Sequence, residues 1–278
     1  MLREAASVIL LRRAAAGYEV FLLRRRKGAS FMGGAFVFPG GGAEAGEDPR
    51  ACAARELFEE AGVLLARPGE QSDRPDRTER ETLRASPQML AELRRKVLEG
   101  ASATALLNVS GLAWWVEVLA PWSHWVTPSL EPRRFSAQFF VCELPAGQEP
   151  QFDAVETVDQ VWTTAAEALA RSKELRLPPP QVRTLWELAQ LPTIDDVLAT
   201  ARNRGGELHP ILPRFHGAPA GGDPRPTLLL PWDPEYDAGT GEGITLPSRP
   251  SWARGPSRFV LEDRTWKHVA APGSTTAD

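Results

Sequence analysis

Residues 41–63 read GGAEAGEDPRACAARELFEEAGV, and the fold turns on how this stretch is taken. Glu56, Glu59 and Glu60 stand at i, i+3 and i+4, so a helix sets three carboxylates on one face. Like charges that close destabilise a bare helix, and the pattern makes sense once a cation offsets them. The flanks favour a helix here. Asp48 can cap its N-terminus, and Pro49 fits the first helical position, where no amide donor is needed. Gly62 sits where a left-handed residue stops a helix. Leu57 and Ala61 lie beside the carboxylates and can pack inward. Just upstream, Phe38–Gly42 (FPGGG) ends a strand in a glycine loop, whose backbone can approach a metal or a phosphate closely. Hard divalent cations take oxygen ligands. A glutamate cluster therefore suits Mg²⁺ or Mn²⁺, and a cysteine or histidine cluster would not.

The rest of the 278-residue chain narrows the class. An apolar content of 42% supports a sizeable core, and a net charge of −4 gives no electrostatic reason to expect nucleic acid or an anionic membrane as partner. Cys52 and Cys142 are poor material for a disulfide framework and fit a reducing compartment. There is no signal-peptide pattern and no apolar run of membrane-spanning length, so a cytoplasmic location is expected. Lysine is rare, and basic contacts to a substrate are expected mainly from arginine. The run Arg24–Lys27 reads as strand-end charge from which one side chain can reach substrate phosphates.

Residues 4–12 and 18–25 form two β-rich runs around a turn, and Phe36–Phe38 is a third, short strand. After the helix, residues 67–85 are charged and read as a loop. Ser86-Pro87 starts a helix to about Leu98 with Leu90, Leu93 and Val97 on one face, and a short helix is expected over 101–107. Residues 66–110 are taken as a helical insertion. Strands are expected over 113–128, 133–145 and 156–162, and helices over 163–172, 181–190 and 193–202. These divide the chain into a domain of residues 1–202 and a Pro/Gly-rich extension of residues 203–278. The extension's short apolar runs can form strands that wrap the domain or a neighbouring subunit, and LLLPW with several tryptophans can support a homodimer.

At Gly41, Glu47, Arg55, Glu56, Leu57, Glu59, Glu60, Gly62 and Val63 the window resembles the Nudix hydrolase box, G-x5-E-x7-R-E-U-x-E-E-x-G-U with U aliphatic. The resemblance implies an α/β fold, the Nudix α/β/α sandwich with a mixed sheet, here carrying the helical insertion and an extended C-terminal tail. It also implies hydrolysis of a diphosphate by water with Mg²⁺ or Mn²⁺. On the same basis Glu59 and Glu60 are the main metal ligands, and Glu56 is a further ligand or the base. The carbonyl of Gly40 completes the site, and Arg55 pairs with Glu47 and orients the carboxylates. Many members of the family place a further acidic residue near the strand at 156–162. Glu156 is the candidate, with Asp153 and Asp159 as rivals and a solvated loop carboxylate as the plain alternative.

The second distinctive stretch is WSHWVTPSLEPRRFSAQFF, residues 122–140. Trp122, Trp125 and His124 can form a wall for an adenine ring, and Arg133 or Arg134 can bind phosphates. Tryptophans beside strands are more often packing, and His124 alone is more simply structural. With the insertion before it, the stretch looks like the Nudix branch that includes the peroxisomal coenzyme A diphosphatase. That likeness implies a small nucleotide-like substrate, CoA or acyl-CoA. ADP-ribose, dinucleotides and damaged nucleotides remain alternatives, as does a nucleotide sensor without catalysis.

Overall fold

A computed structural model describes residues 1–15, 17–29, 32–69, 86–205, 208–217, 225–246 and 250–273. Strands β1 (Leu2–Ala14) and β2 (Gly17–Arg25) form a long hairpin, followed by β3 (Phe36–Val37) and the glycine strand β4 (Gly40–Gly42). Helix α1 (Pro49–Ala61) comes next, and then β5 (Ala66–Pro68), α2 (Pro87–Leu98), α3 (Ala103–Val109) and β6 (Leu112–Trp114). Strands β7 (Ala120–Val126), β8 (Arg134–Glu143) and β9 (Thr157–Thr163) precede α4 (Ala165–Ala170), α5 (Ser172–Leu175), α6 (Pro179–Leu188) and α7 (Ile194–Arg204). The extension adds β10 (Pro210–Ile211), β11 (Arg214–His216), β12 (Thr227–Leu229), β13 (Arg258–Glu262) and β14 (Thr265–Val269).

The main sheet runs β10-β7-β8-β1-β2-β3, with β4 also on β1 and β9 also on β2. It is mixed: β1 and β8 are parallel along their length, while β1–β2 and β7–β8 are antiparallel. Strand alternation sends Ala6, Val8 and Leu10 of β1 to one core and Ile9 and Leu11 to the other. The first core is closed by Cys52, Ala53, Leu57 and Ala61 of α1, the second by residues of α4, α6 and α7. Both faces of the sheet are thus covered, which makes an α/β/α sandwich.

Helix α1 forms where its local signals place it. Asp48 Oδ1 accepts from the amides of Arg50 and Ala51, Pro49 opens the helix, and Gly62 ends it at φ +70°. The insertion docks on α1 through a separate apolar cluster in which Phe58 meets Leu93 and Leu107. Its neck is a two-stranded ribbon, with Ala66 opposite Trp114 and Pro68 opposite Leu112. The loop expected over 67–85 lies outside the described residues from residue 70 on. The single strand expected over 113–128 is two strands, β6 and β7, joined by a 3-10 turn at Val116–Val118. It must break, because β6 closes the insertion while β7 pairs with β8 in the main sheet.

The extension is not an appendage. β10 adds to the edge of the main sheet beside β7, and β11–β14 form a second sheet. Leu228, Leu230, Trp252 and Phe259 share one core cluster with Ile9, Val20 and Leu185, so residue 202 marks no boundary in packing. Arg183 of α6, 2% exposed, fastens it by donating to the carbonyls of Trp252, Arg254 and Pro256 and to Glu187. Arg258 closes the far side on Asp233, with Nε–Oδ2 at 2.8 Å and Nη2–Oδ1 at 2.9 Å. No described helix is long and apolar enough to cross a membrane.

His268 on β14 makes this packing pH-sensitive. Its ring stacks on Phe259, and its Nε2–H donates to the Pro256 carbonyl. Burial, with Arg183 nearby, pushes its pKa down to about 3 from 6.5. The unfolded chain therefore binds the proton first as pH falls. The stability held by the neutral ring is complete above about pH 6.5 and is lost toward pH 3, at up to about 1.4 kcal/mol per pH unit. His268→Phe keeps the stack and removes the titration. Urea unfolding of that variant should lose stability less steeply below pH 6.5 than wild type; an unchanged slope contradicts this assignment.

Candidate active site

At one end of the main sheet β1 changes partner. It pairs with β2 over Leu11–Ala14 but with glycine strand β4 over Ala5–Ser7. The sheet opens there, and glycine backbone lies between β1 and the carboxylates of α1. A Cβ on Gly40 would stand 2.3 Å from the Ala6 carbonyl oxygen, and one on Gly41 would stand 2.5 Å from Glu56 Oε2. Only glycine admits so close an approach.

Arg55, 6% exposed, is the hub. Its Nε and Nη2 grip Glu47 at 2.8 and 2.9 Å, and Nη2 also donates to the Gly42 carbonyl at 2.9 Å. Nη1 holds Glu56 at 2.8 Å and Glu59 at 3.0 Å. Glu60, 4% exposed, accepts from the Gly40 amide at 2.9 Å, and its other oxygen lies 4.0 Å from Arg25 Nη1. Burial pushes Glu60 up to about 8 against the pull of the Gly40 amide, and pushes Glu56 up to about 7 against the pull of Arg55. Burial raises Glu59 as well. Burial also works on Glu47, but there the Arg55 hydrogen bonds and the Glu44 amide win, and its carboxyl ends below the usual range. Glu47 is thus a settled ion-pair partner, whereas the three helix carboxylates are short of positive charge.

A cavity of about 510 Å³ opens at this end. Glu56, Glu59, Glu156, Arg25 and the glycine strand line one part of it. Two neighbouring register rows of the sheet line it as well, one with Trp125 opposite Ala137 and Ala137 opposite Ala5, the other with Phe139 opposite Ser7. Of the acidic rivals, Asp153 is spent on the loop: its Oδ1 accepts from the amides of Val155, Glu156 and Thr157. Asp159 caps the Gln160 amide and faces Arg24 at 3.9 Å. Glu156 is the one of the three that lines the cavity.

The second stretch divides. Trp125 lines the cavity, but Trp122 does not: it is 1% exposed in the core, with the Arg204 guanidinium 4.2 Å above its ring. The β7–β8 register shifts between Pro121 and Ser123, so Trp122 sits in a bulge and is turned under α7. It offers no wall to a ligand. Arg134 is tied to the Thr127 carbonyl and Glu242, and Arg133 is exposed; neither lines the cavity. His124 hydrogen-bonds Ser136 between strands at 2.9 Å, a structural role. Residues not singled out from sequence also line the cavity: Phe135, Phe139, Gln181, Phe215 and Trp266. For the first two a signal was present, since FSAQF places Phe135, Ala137 and Phe139 on one face of a strand.

Among the described residues no three acidic, histidine or cysteine side chains stand close enough to form a ready cation cage, because Glu56 and Glu59 are turned to Arg55. The donors available are nonetheless all oxygen, and burial holds Glu56 and Glu60 at raised pKa values in spite of Arg55 and Arg25. A hard divalent cation fits that set.

The family model described as the NUDT19 Nudix domain matches residues 47–191, just over half of the chain, and the NUDIX domain model matches residues 1–87. The chain belongs to the Nudix family. The Nudix chain is 32% identical over 200 residues to putative nudix hydrolase 7 of Caenorhabditis elegans, covering 68% of this chain and 61% of that protein. It is 27% identical over 248 residues to acyl-coenzyme A diphosphatase NUDT19 of Xenopus laevis, covering 68% and 64%. These matches span less than two thirds of either relative's length. The crystal structure of a NUDIX hydrolase from Alicyclobacillus acidocaldarius superimposes with a TM-score of 0.58 at 28% identity, covering 72% of this chain and 96% of that one. The mixed sheet with helices on both faces is thus the Nudix fold.

Proposed function

We propose that this Nudix chain hydrolyses the diphosphate bond of a nucleoside diphosphate linked to another group, with CoA or acyl-CoA as the first substrate and Mg²⁺ or Mn²⁺ as cofactor. The observation that carries it is the meeting of Glu56 and Glu59, on a helix braced by Arg55, with Glu156 and Arg25 in one cavity. The name of the Xenopus relative supports the choice of substrate.

A bound divalent cation would supply charge to offset the diphosphate and to lower the pKa of the attacking water. Glu56, Glu59, Glu60 and the Gly40 carbonyl would hold it. Arg55 keeps Glu56 and Glu59 in place, and the Gly40 amide keeps Glu60 in place. Arg25 meets the anionic substrate at the cavity wall. Water attacks one phosphorus, the bridging P–O bond breaks, and two phosphate monoesters leave. Glu56 and Glu156 are the two carboxylates offered as proton acceptor. A reducing, cytoplasmic setting belongs to the same proposal and is supported by the two buried free thiols, Cys52 and Cys142.

The test is product release from CoA, an acyl-CoA, ADP-ribose and NADH with Mg²⁺ or Mn²⁺ and with chelator. Turnover of at least one, abolished by chelator, is expected; turnover of none would sink the proposal. Gly41→Ala offers a finer check. Its Cβ would displace the Glu56 carboxylate, which sits 2.5 Å from that position. An ångström of misplacement can cost on the order of a hundredfold in rate. A kcat loss of that order with little change in melting temperature is expected; wild-type kcat would show that Glu56 need not stand there.

A further inference from the structure

Part of the cavity wall belongs to the C-terminal extension. Pro213, Phe215, Leu228 and Trp266 line it, and all four lie outside both family-model matches, which end at residues 191 and 87. Strand register explains how they reach it. Phe215 stands opposite Leu228, Leu228 opposite Phe259, and Phe259 opposite His268. Directly paired residues share a face, and so does Trp266, two residues before His268. That face is turned inward: Phe259 is fully buried, and His268 meets Trp186 of α6 edge-on with ring centroids 5.6 Å apart. Phe215 and Trp266 are only half-buried on the same face. Half-buried rings on an inward face border a space, and that space is the cavity.

The lining of the cavity is also chemically mixed. Carboxylates and Arg25 line it together with Phe135, Pro179, Pro180 and the aromatic side chains of the extension. Gln181 is an uncharged polar group in that lining, 5% exposed, with no hydrogen-bond partner for its side-chain oxygen among the described residues.

We propose that the extension supplies the specificity wall of the active site, with Phe215 and Trp266 packing against an extended, mainly apolar arm of the substrate. This rests on the diphosphate-hydrolase reading of the cavity. Proline, leucine and aromatic rings suit an aliphatic arm, and Gln181 Oε1 is an acceptor that an amide N–H in such an arm satisfies.

The test compares kcat/KM of wild type, Phe215→Ala and Trp266→Ala on octanoyl-CoA and on ADP-ribose, which share an adenosine diphosphate core but differ in the arm and in a 3′-phosphate, a group that apolar rings do not hold. The octanoyl-CoA to ADP-ribose ratio should fall roughly tenfold or more in each variant, through KM rather than kcat. Trp266→Phe keeps a ring and should restore most of the ratio, which separates lost contact from misfolding. Equal losses on both substrates overturn the proposal, because they place the wall against the shared nucleotide. Should wild type turn over neither, calorimetric binding of the same two compounds decides the wall, and the hydrolase reading itself has failed only if CoA and NADH are not cleaved either. Selective loss of octanoyl-CoA binding in the variants supports it; equal loss, or no binding to wild type, overturns it.

Discussion

Glu60→Gln should lose roughly a thousandfold or more in kcat, about 4 kcal/mol of transition-state stabilisation, while the metal-free protein melts no lower than wild type. The two halves of that result have one cause. Glu60 is 4% exposed, and among the described residues the Gly40 amide at 2.9 Å and Arg25 at 4.0 Å favour its charge. A buried carboxylate so poorly compensated costs stability when ionised, and glutamine keeps its shape without the charge. An oxygen ligand that a divalent cation needs is weakened by the same change. Saturating Mg²⁺ should therefore raise the melting temperature of wild type, by the linkage of binding to folding, and leave Glu60→Gln unmoved. Near-wild-type kcat, or an equal Mg²⁺ shift in the variant, would remove Glu60 from the metal site.

Arg55→Ala should behave in the opposite way, losing stability and activity together. The guanidinium is 6% exposed and holds Glu47, Glu56, Glu59 and the Gly42 carbonyl at once. Its removal leaves part-buried carboxylates facing one another without that cation, and breaking a buried cluster on one side costs about 3–5 kcal/mol. Urea unfolding should show a loss of that size. Arg55→Lys restores the charge but not the fork that grips Glu47 with two nitrogens, and should recover only part of it. A loss below about 1 kcal/mol in the alanine variant would mean that the network is ornamental to the fold.

What could be read from the sequence was what is local. The cap at Asp48, the proline after it and the left-handed Gly62 all act within one helix, so α1 and its carboxylate face were legible residue by residue. So was α2, capped by Ser86 with Pro87 at its first turn. Trp122 was not, because a bulge in β7 turns its ring under Arg204, and a period-two reading cannot see a bulge. The extension was legible only as short strands that wrap the domain, not in where they meet it. Its strands are two to five residues long and are held by Arg183 on distant carbonyls and by Arg258 on Asp233, contacts with no periodic trace. For that reason Phe215 and Trp266 gave no sign of bordering the cavity until β11–β14 were seen to present one face to it.

The most direct measurement is anomalous diffraction from crystals of Glu56→Gln, a variant chosen to slow turnover, soaked with Mn²⁺ and CoA. Manganese should lie against Glu59, Glu60 and the Gly40 carbonyl, with the diphosphate between it and Arg25. Manganese and diphosphate bound away from these residues would contradict the assignment of this cavity as the place where the bond is cut.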